Sequence, residues 1–217
     1  MKTMEVVKQI PQKTKNKYLD SVAYFEKLFH FVNEKLFESE LPAVVITIQE
    51  DKRNKAYGWF TLQKVWKETR ADEGLNEINI SAQFLNRSPE ELASTLIHEL
   101  CHFYANIHKI QDCSRSGTYH NKLFAKIAEV HGLHVDCEKG IGWSRTSLMD
   151  STKAVLTPFF ENNPFPLFYR TVTAKGKALK SSSTRKYECP ICLSSCRATK
   201  ELRLICADCN KLMVLAD

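Results

Sequence analysis

Residues 88–109, SPEELASTLIHELCHFYANIHK, decide how this chain folds. Ser88 offers a helix cap, Pro89 suits a first turn, and Glu90 and Glu91 sit at the positive end of the helix dipole. The spacing predicts a helix over about 89–109 whose apolar residues, Leu96, Ile97, Leu100 and Phe103, seat it in a core. Within it, His98-Glu99-Leu100-Cys101-His102 reads H-E-x-x-H. Side chains four residues apart on a helix are rotated by only about 40° and lie one turn apart, so two imidazoles can converge on one ion. Glu99 lies beside the same face. It is badly placed as an inner ligand but can reach a water held by the ion. Zinc lowers the pKa of such a water toward about 7. A nearby carboxylate can then take its proton and deliver it to a leaving amine. A buried histidine pair with a glutamate is costly without a metal or partners. The pattern therefore predicts a zinc-dependent peptide hydrolase with Glu99 as general base.

A catalytic zinc needs a third protein ligand and one open position. His108, Cys113, His120, His131 and His134 lie downstream. His108 is six residues past His102, on the opposite side of the helix. His131 lies about three turns beyond His120. His120 is favoured, because it opens the next predicted helix (119–131) after a polar loop long enough to fold back. Gly132 ends that helix. Tyr119 is either a transition-state hydrogen-bond donor or an ordinary packed tyrosine.

Outward from this core, residues 18–37 carry Leu19, Val22, Phe25, Leu28, Phe29, Val32, Leu36 and Phe37 at helical spacing. Residues 44–49, 55–62 and 77–81 read as strands, with a charged loop or hairpin excursion over 64–74. Helix, strands, helix, helix is an α+β order. The proline- and aromatic-rich piece 157–169 reads as an extended arm packed on the domain. Residues 171–186 read as a flexible basic linker.

INISAQFLNRSPEELASTLIHELCH followed by YHNKLFAKIAEVHGL resembles the SprT-like zinc metalloprotease family, to which Spartan belongs. The shared pattern is a strand, a loop, the H-E-x-x-H helix, then a histidine followed four residues later by phenylalanine, here His120 and Phe124. The resemblance covers about residues 20–135 and extends to the C-terminal module. It implies a zincin-like metalloprotease domain (18–170) with a small antiparallel sheet. It also implies His98, His102 and His120 as zinc ligands and Glu99 as the catalytic residue. One departure is Asn121, where the family commonly has glycine.

Four of the eight cysteines form two C-x-x-C pairs, Cys189/Cys192 and Cys206/Cys209, 13 residues apart. Two such knuckles can hold one zinc in a closed tetrahedral thiolate site, so residues 187–217 read as a zinc ribbon whose folding energy comes from the metal. Two zinc ions are expected, one catalytic and one structural. Cys101, Cys113, Cys137 and Cys196 read as reduced thiols.

No apolar run spans a bilayer and no signal peptide is legible, which predicts a cytoplasmic protein without a membrane partner. Residues 1–169 balance 21 Lys/Arg against 21 Asp/Glu, whereas residues 170–217 carry ten against four, the whole net charge of +6. That asymmetry points to nonspecific DNA contact through the C-terminal region. The expected function is a zinc endopeptidase acting on proteins associated with or crosslinked to DNA, a role in DNA repair. The alternative is a DNA-associated binding or regulatory protein with a vestigial or gated metalloprotease site.

Overall fold

The computed structural model describes residues 16–52, 55–67, 73–171 and 184–216. The chain divides into two compact units, Met1–Val172 and Thr173–Asp217. Among the described residues, no helix is long and apolar enough to cross a membrane.

The first unit opens with α1 (Lys17–Leu36), capped by the Asn16 side chain. Its inner face buries Tyr24, Phe25, Leu28, Phe29 and Val32, while Leu19 faces solvent. Three strands follow, β1 (Val45–Gln49), β2 (Gly58–Phe60) and β3 (Glu77–Ser81). They lie in the order β1-β3-β2. The expected antiparallel sheet is mixed, because β3 inserts between the other two. It runs antiparallel to β2, from which it returns through a Trp66–Leu75 pairing, and parallel to β1. Ile46, Ile48, Ile78 and Ile80 project from one face into the core shared with α1 and α2 (Pro89–Ile107). α2 starts at a capping box, with Ser88 and Glu91 bonded reciprocally, and buries Leu92, Leu96, Ile97, Leu100 and Phe103.

A second sheet has the order β4-β5-β7-β6, from β4 (Cys113–Ser114), β5 (Tyr119–His120), β6 (Leu133–Glu138) and β7 (Gly142–Leu148). Between β5 and β6 lies α3 (Lys122–Val130). The helix expected from residue 119 thus begins at 122. Tyr119 and His120 instead pair with Ser114 and Cys113 as a strand, and Asn121 caps the helix. Gly132 ends it at φ +87°, where a Cβ would stand 2.1 Å from Thr152 Oγ1. The expected arm at 157–169 is only partly extended. Helix α4 (Asp150–Asn162) runs through Pro158, and its Phe159 joins Tyr24 and Phe165 in edge-to-face contact. The unit is tied off where Arg170 N–H donates to Ala82 O and its guanidinium pairs with Glu50 at 3.3 Å.

In the second unit, β12 (Val214–Ala216), β8 (Arg185–Glu188) and β9 (Ser195–Ala198) form an antiparallel sheet, beside a hairpin of β10 (Ile205–Cys206) and β11 (Lys211–Leu212). Most of the segment read as a linker, 172–183, lies outside the described residues, and its last two positions belong to β8.

The C-termini of α1, α2 and α3 meet at His131. Its ring stacks on Phe37 with centroids 4.0 Å apart, lies edge-on to Tyr104, and its Nδ1–H donates to Leu36 O at 2.7 Å. Burial lowers its pKa below the usual 6.5, although the Leu36 bond opposes this. The unfolded chain therefore takes up this proton first on acidification. The stability linked to His131 is complete above pH 6.5 and declines as pH falls toward the folded pKa. His131→Phe, which cannot titrate, is expected to lower the melting temperature at pH 8 by losing the Leu36 bond. The deficit relative to wild type should shrink at pH 5, as thermal melts across that range would record.

Candidate metal centre

α2 supplies two of three convergent rings. Its burial in the core fixes the rotation of the helix, so His98 and His102 point out of it toward the second sheet. β5 supplies the third. His120 is held by its backbone N–H on Ile141 O at 3.0 Å and by pairing with Gly142 across β7. Gly142 has φ +76°, and a Cβ there would stand 2.1 Å from His120 O, so only glycine lets the two strands approach this closely. The Nε2 atoms of His98, His102 and His120 lie 3.1–3.2 Å from one another. Phe124, fully buried one turn into α3, floors all three rings at 4.6–4.7 Å between centroids.

Three ring nitrogens face one another here, and hydrogen bonding among them explains little. His102 Nδ1–H donates to Asp112 Oδ2 at 2.5 Å, so the neutral form of this ring has its lone pair on Nε2. His98 Nδ1 lies 3.1 Å from Thr146 Oγ1, and His120 Nδ1 is buried without a partner among the described residues. Burial holds the His98 pKa well below its usual value and His120 down at about 4, and the His102 charge pushes both further down. At His102 burial also works to lower the pKa, but the bonds from Asp112 and Cys113 outweigh it and raise it to about 10. Such a trio accepts a single positive charge. A tetrahedral zinc with Zn–N of about 2.0–2.1 Å sets its nitrogens about 3.3 Å apart, so the donor set fits zinc.

Glu99 is 6% exposed and stands beside Gly58 of β2, where a Cβ would lie 3.2 Å from both its Cγ and Oε1. Burial pushes its carboxyl up to about 7, with His102 opposing and Asp112 adding. The trio and Glu99 line an open cleft of about 1690 Å³, walled by Tyr57–Leu62 on one side, by 144–147 of β7 on the other and by the 111–117 loop.

The other residues weighed as third ligand take other places. His108 pairs with Glu40 at the end of α2, His131 sits in its aromatic stack, and His134 is exposed on β6. Cys113 Sγ is 3.9 Å from His102 Nδ1, on the side of the ring away from the trio. Tyr119 is not among the cleft walls. Successive strand residues face opposite ways, so with His120 turned inward Tyr119 packs on Gly142 and under Arg115. Asn121 needs none of the freedom of glycine at φ −92°. Its Oδ1 accepts from Leu123 and Phe124 N–H, and its Nδ2 donates to Gln111 O. Asp112 and Thr146, the outer contacts of the histidines, carry no sequence motif; a carboxylate ten residues after His102 was the sole signal for Asp112.

In the second unit the sulfurs of Cys189, Cys192, Cys206 and Cys209 lie within 4.8 Å of one another, with Cys192 and Cys206 at 3.6 Å. All are unpaired thiols, and so are Cys101, Cys113, Cys137 and Cys196. Zn–S bonds of about 2.3 Å place tetrahedral sulfurs about 3.8 Å apart, so this set also fits zinc. Each knuckle closes on a left-handed residue directly after its second cysteine, Leu193 at φ 60° and Asn210 at φ 48°.

The pattern of the SprT-like family matches residues 25–139, more than half of the chain. Neither a curated protein nor a solved structure matches it.

The raised Glu99 carboxyl has a cost in stability. Its folded pKa, about 7, lies above the ordinary 4.5, so the folded state holds the proton more tightly. Stability linked to it is greatest below pH 4.5 and falls as pH rises toward 7. The full penalty above that is up to about 3 kcal/mol, at 1.36 kcal/mol per pKa unit. In protein stripped of metal at the trio, Glu99→Gln is expected to raise the melting temperature, more at pH 8 than at pH 5.

Proposed function

Because the chain belongs to the SprT-like family, we propose that it is a zinc-dependent endopeptidase acting on protein substrates, those associated with or crosslinked to DNA in particular. The observation that carries this reading is the trio of Nε2 atoms within 3.2 Å of one another, with the Glu99 carboxylate alongside in an open cleft. His98, His102 and His120 hold the catalytic zinc. The ion, when bound, supplies Lewis acidity toward a scissile carbonyl and makes a coordinated water acidic. Glu99 receives a proton from the attacking water on a carboxylate oxygen and returns it to the leaving amine. Its near-complete burial keeps bulk water from competing for that proton. The cleft exceeds the roughly 300–1,000 Å³ of small-molecule sites and suits a polymer. β2 lies at the edge of its sheet, so an extended peptide can pair with it beside the trio.

Cys189, Cys192, Cys206 and Cys209 hold a structural zinc that makes residues 187–217 a zinc ribbon, in a reducing, cytoplasmic setting. The ribbon and the segment before it bring the enzyme to DNA. Arg170 is taken up by Glu50 in the first unit. Residues 173–217 keep nine Lys/Arg against four Asp/Glu, a net +5. Arg185, Lys186, Arg197, Lys200, Arg203 and Lys211 lie among the described residues, while Lys175, Lys177 and Lys180 lie outside them. Such side chains bind phosphates without reading bases.

Glu99→Gln is expected to keep both zinc ions by elemental analysis and to lose proteolysis by about 10²–10⁴-fold, the usual contribution of a general base. A variant that keeps its zinc and still cleaves removes Glu99 from the mechanism. A wild-type chain with two zinc ions and no proteolysis with or without DNA favours the binding or regulatory role.

Truncation after Val172 should leave a folded first unit that cleaves a free unstructured protein as the full chain does. Its nonspecific DNA affinity should fall, and the salt dependence of that affinity should flatten, because each lost phosphate contact no longer releases about one counterion. Salt-titrated binding of both forms measures this. Unchanged affinity would move the DNA surface to the first unit.

A further inference from the structure

We infer that Asp112 is a positioning residue for the metal centre: its carboxylate holds His102 so that the Nε2 lone pair of that ring meets those of His98 and His120. The inference rests on reading the trio as a zinc site. Asp112 is 8% exposed, and His102 is its ion-pair partner among the described residues. A buried carboxylate without a Lys or Arg is expensive unless it is bonded where it sits. Here the Nδ1–H of His102 meets it at 2.5 Å, a charge-assisted bond that sets both the tautomer and the rotation of the ring.

The carboxylate is itself anchored. Asp112 O accepts from Asn121 N–H at 2.9 Å, and Gln111 O accepts from Asn121 Nδ2 at 2.7 Å. Asn121 directly follows His120 and caps α3, which carries the Phe124 floor. The 111–112 segment thus orients His102 through a side chain and the stretch bearing His120 through two carbonyls. The outer contacts of the three rings are unequal. Among the described residues, His98 has the neutral hydroxyl of Thr146 and His120 has no partner on Nδ1, so Asp112 supplies the charged one. Cys113 Sγ, 3.9 Å from the same nitrogen, is a weak acceptor at long range and no substitute.

The test measures zinc affinity on the full-length chain by competition with a chromophoric chelator at fixed pH, for wild type, Asp112→Asn and Asp112→Ala. The cysteine-site zinc serves as internal reference. Loss of an outer-shell partner typically weakens metal binding about 10–100-fold, and Asp112→Ala is expected in that range at the histidine site alone. Asp112→Asn should fall between it and wild type, because an amide oxygen still accepts from Nδ1–H but brings no charge. It is nearly isosteric and keeps the test valid if the alanine variant fails to fold. Melting temperatures of the metal-free variants are recorded alongside, because losing a buried charge-assisted bond lowers stability whether or not zinc binds. Variants that bind histidine-site zinc as tightly as wild type overturn the inference while leaving the zinc reading intact. So does a loss of metal-free stability with unchanged zinc affinity, which marks a structural role only. A wild-type chain that takes zinc at the cysteines alone overturns both.

Discussion

Three imidazole Nε2 atoms held about 3.2 Å apart crowd one another with room for no more than one shared positive charge, and only rigidity from several directions keeps them there. Each piece of the first unit answers to that constraint. The capping box at Ser88 and the buried face of α2 fix the rotation of His98 and His102. The close passage of β5 over Gly142 sets the height of His120. Phe124 stops all three rings from sinking. A divalent cation that displaces the His102 proton and draws on all three nitrogens would turn the same rigidity into affinity, since the rings are already in place.

The site joins two layers. The pair on α2 belongs to the core with the β1-β3-β2 sheet, whereas His120 belongs to the other sheet, with Thr146 on β7 and the loop of Asp112 beside it. A metal shared across that seam links parts of the chain that local helix and strand bonds leave separate. Asn121 shows how the seam is kept in register. An extended φ and a side chain that bonds three backbone groups make asparagine a working cap here.

Legibility followed how local each signal was. The H-E-x-x-H helix declares itself within 20 residues, because cap, apolar stripe and donors share one periodicity. His120 was legible as a residue but not in its setting. The helical spacing of Phe124, Ile127 and Ala128 invited an earlier helix start, and strand pairing with Cys113, a non-local contact, overrode it. β6 and β7 escaped because their sequences, LHVDCE and GWSRTSL, are polar. They flank the cleft and bury little apolar surface, so alternation is faint. α4 was hidden by Pro158, whose missing N–H argues against a helix interior although its neighbours Leu156 and Phe159 pack into the core. Asp112 belongs to no motif, because its contact with His102 exists only once the 108–121 loop has folded back on α2.

Gly58 is a residue without a side chain, on a strand across the cleft, that sets the space in which the Glu99 carboxylate can turn. The proposed mechanism asks that carboxylate to face two different atoms in succession, so room to turn matters to it as much as charge. A Cβ at position 58 would stand 2.8 Å from Asn79 O, backbone of the neighbouring strand, as well as 3.2 Å from the Glu99 side chain. The bare backbone at position 58 therefore serves both the pairing of β2 with β3 and the room in front of that carboxylate. A larger residue there would disturb the strand pairing and crowd the Glu99 carboxylate together.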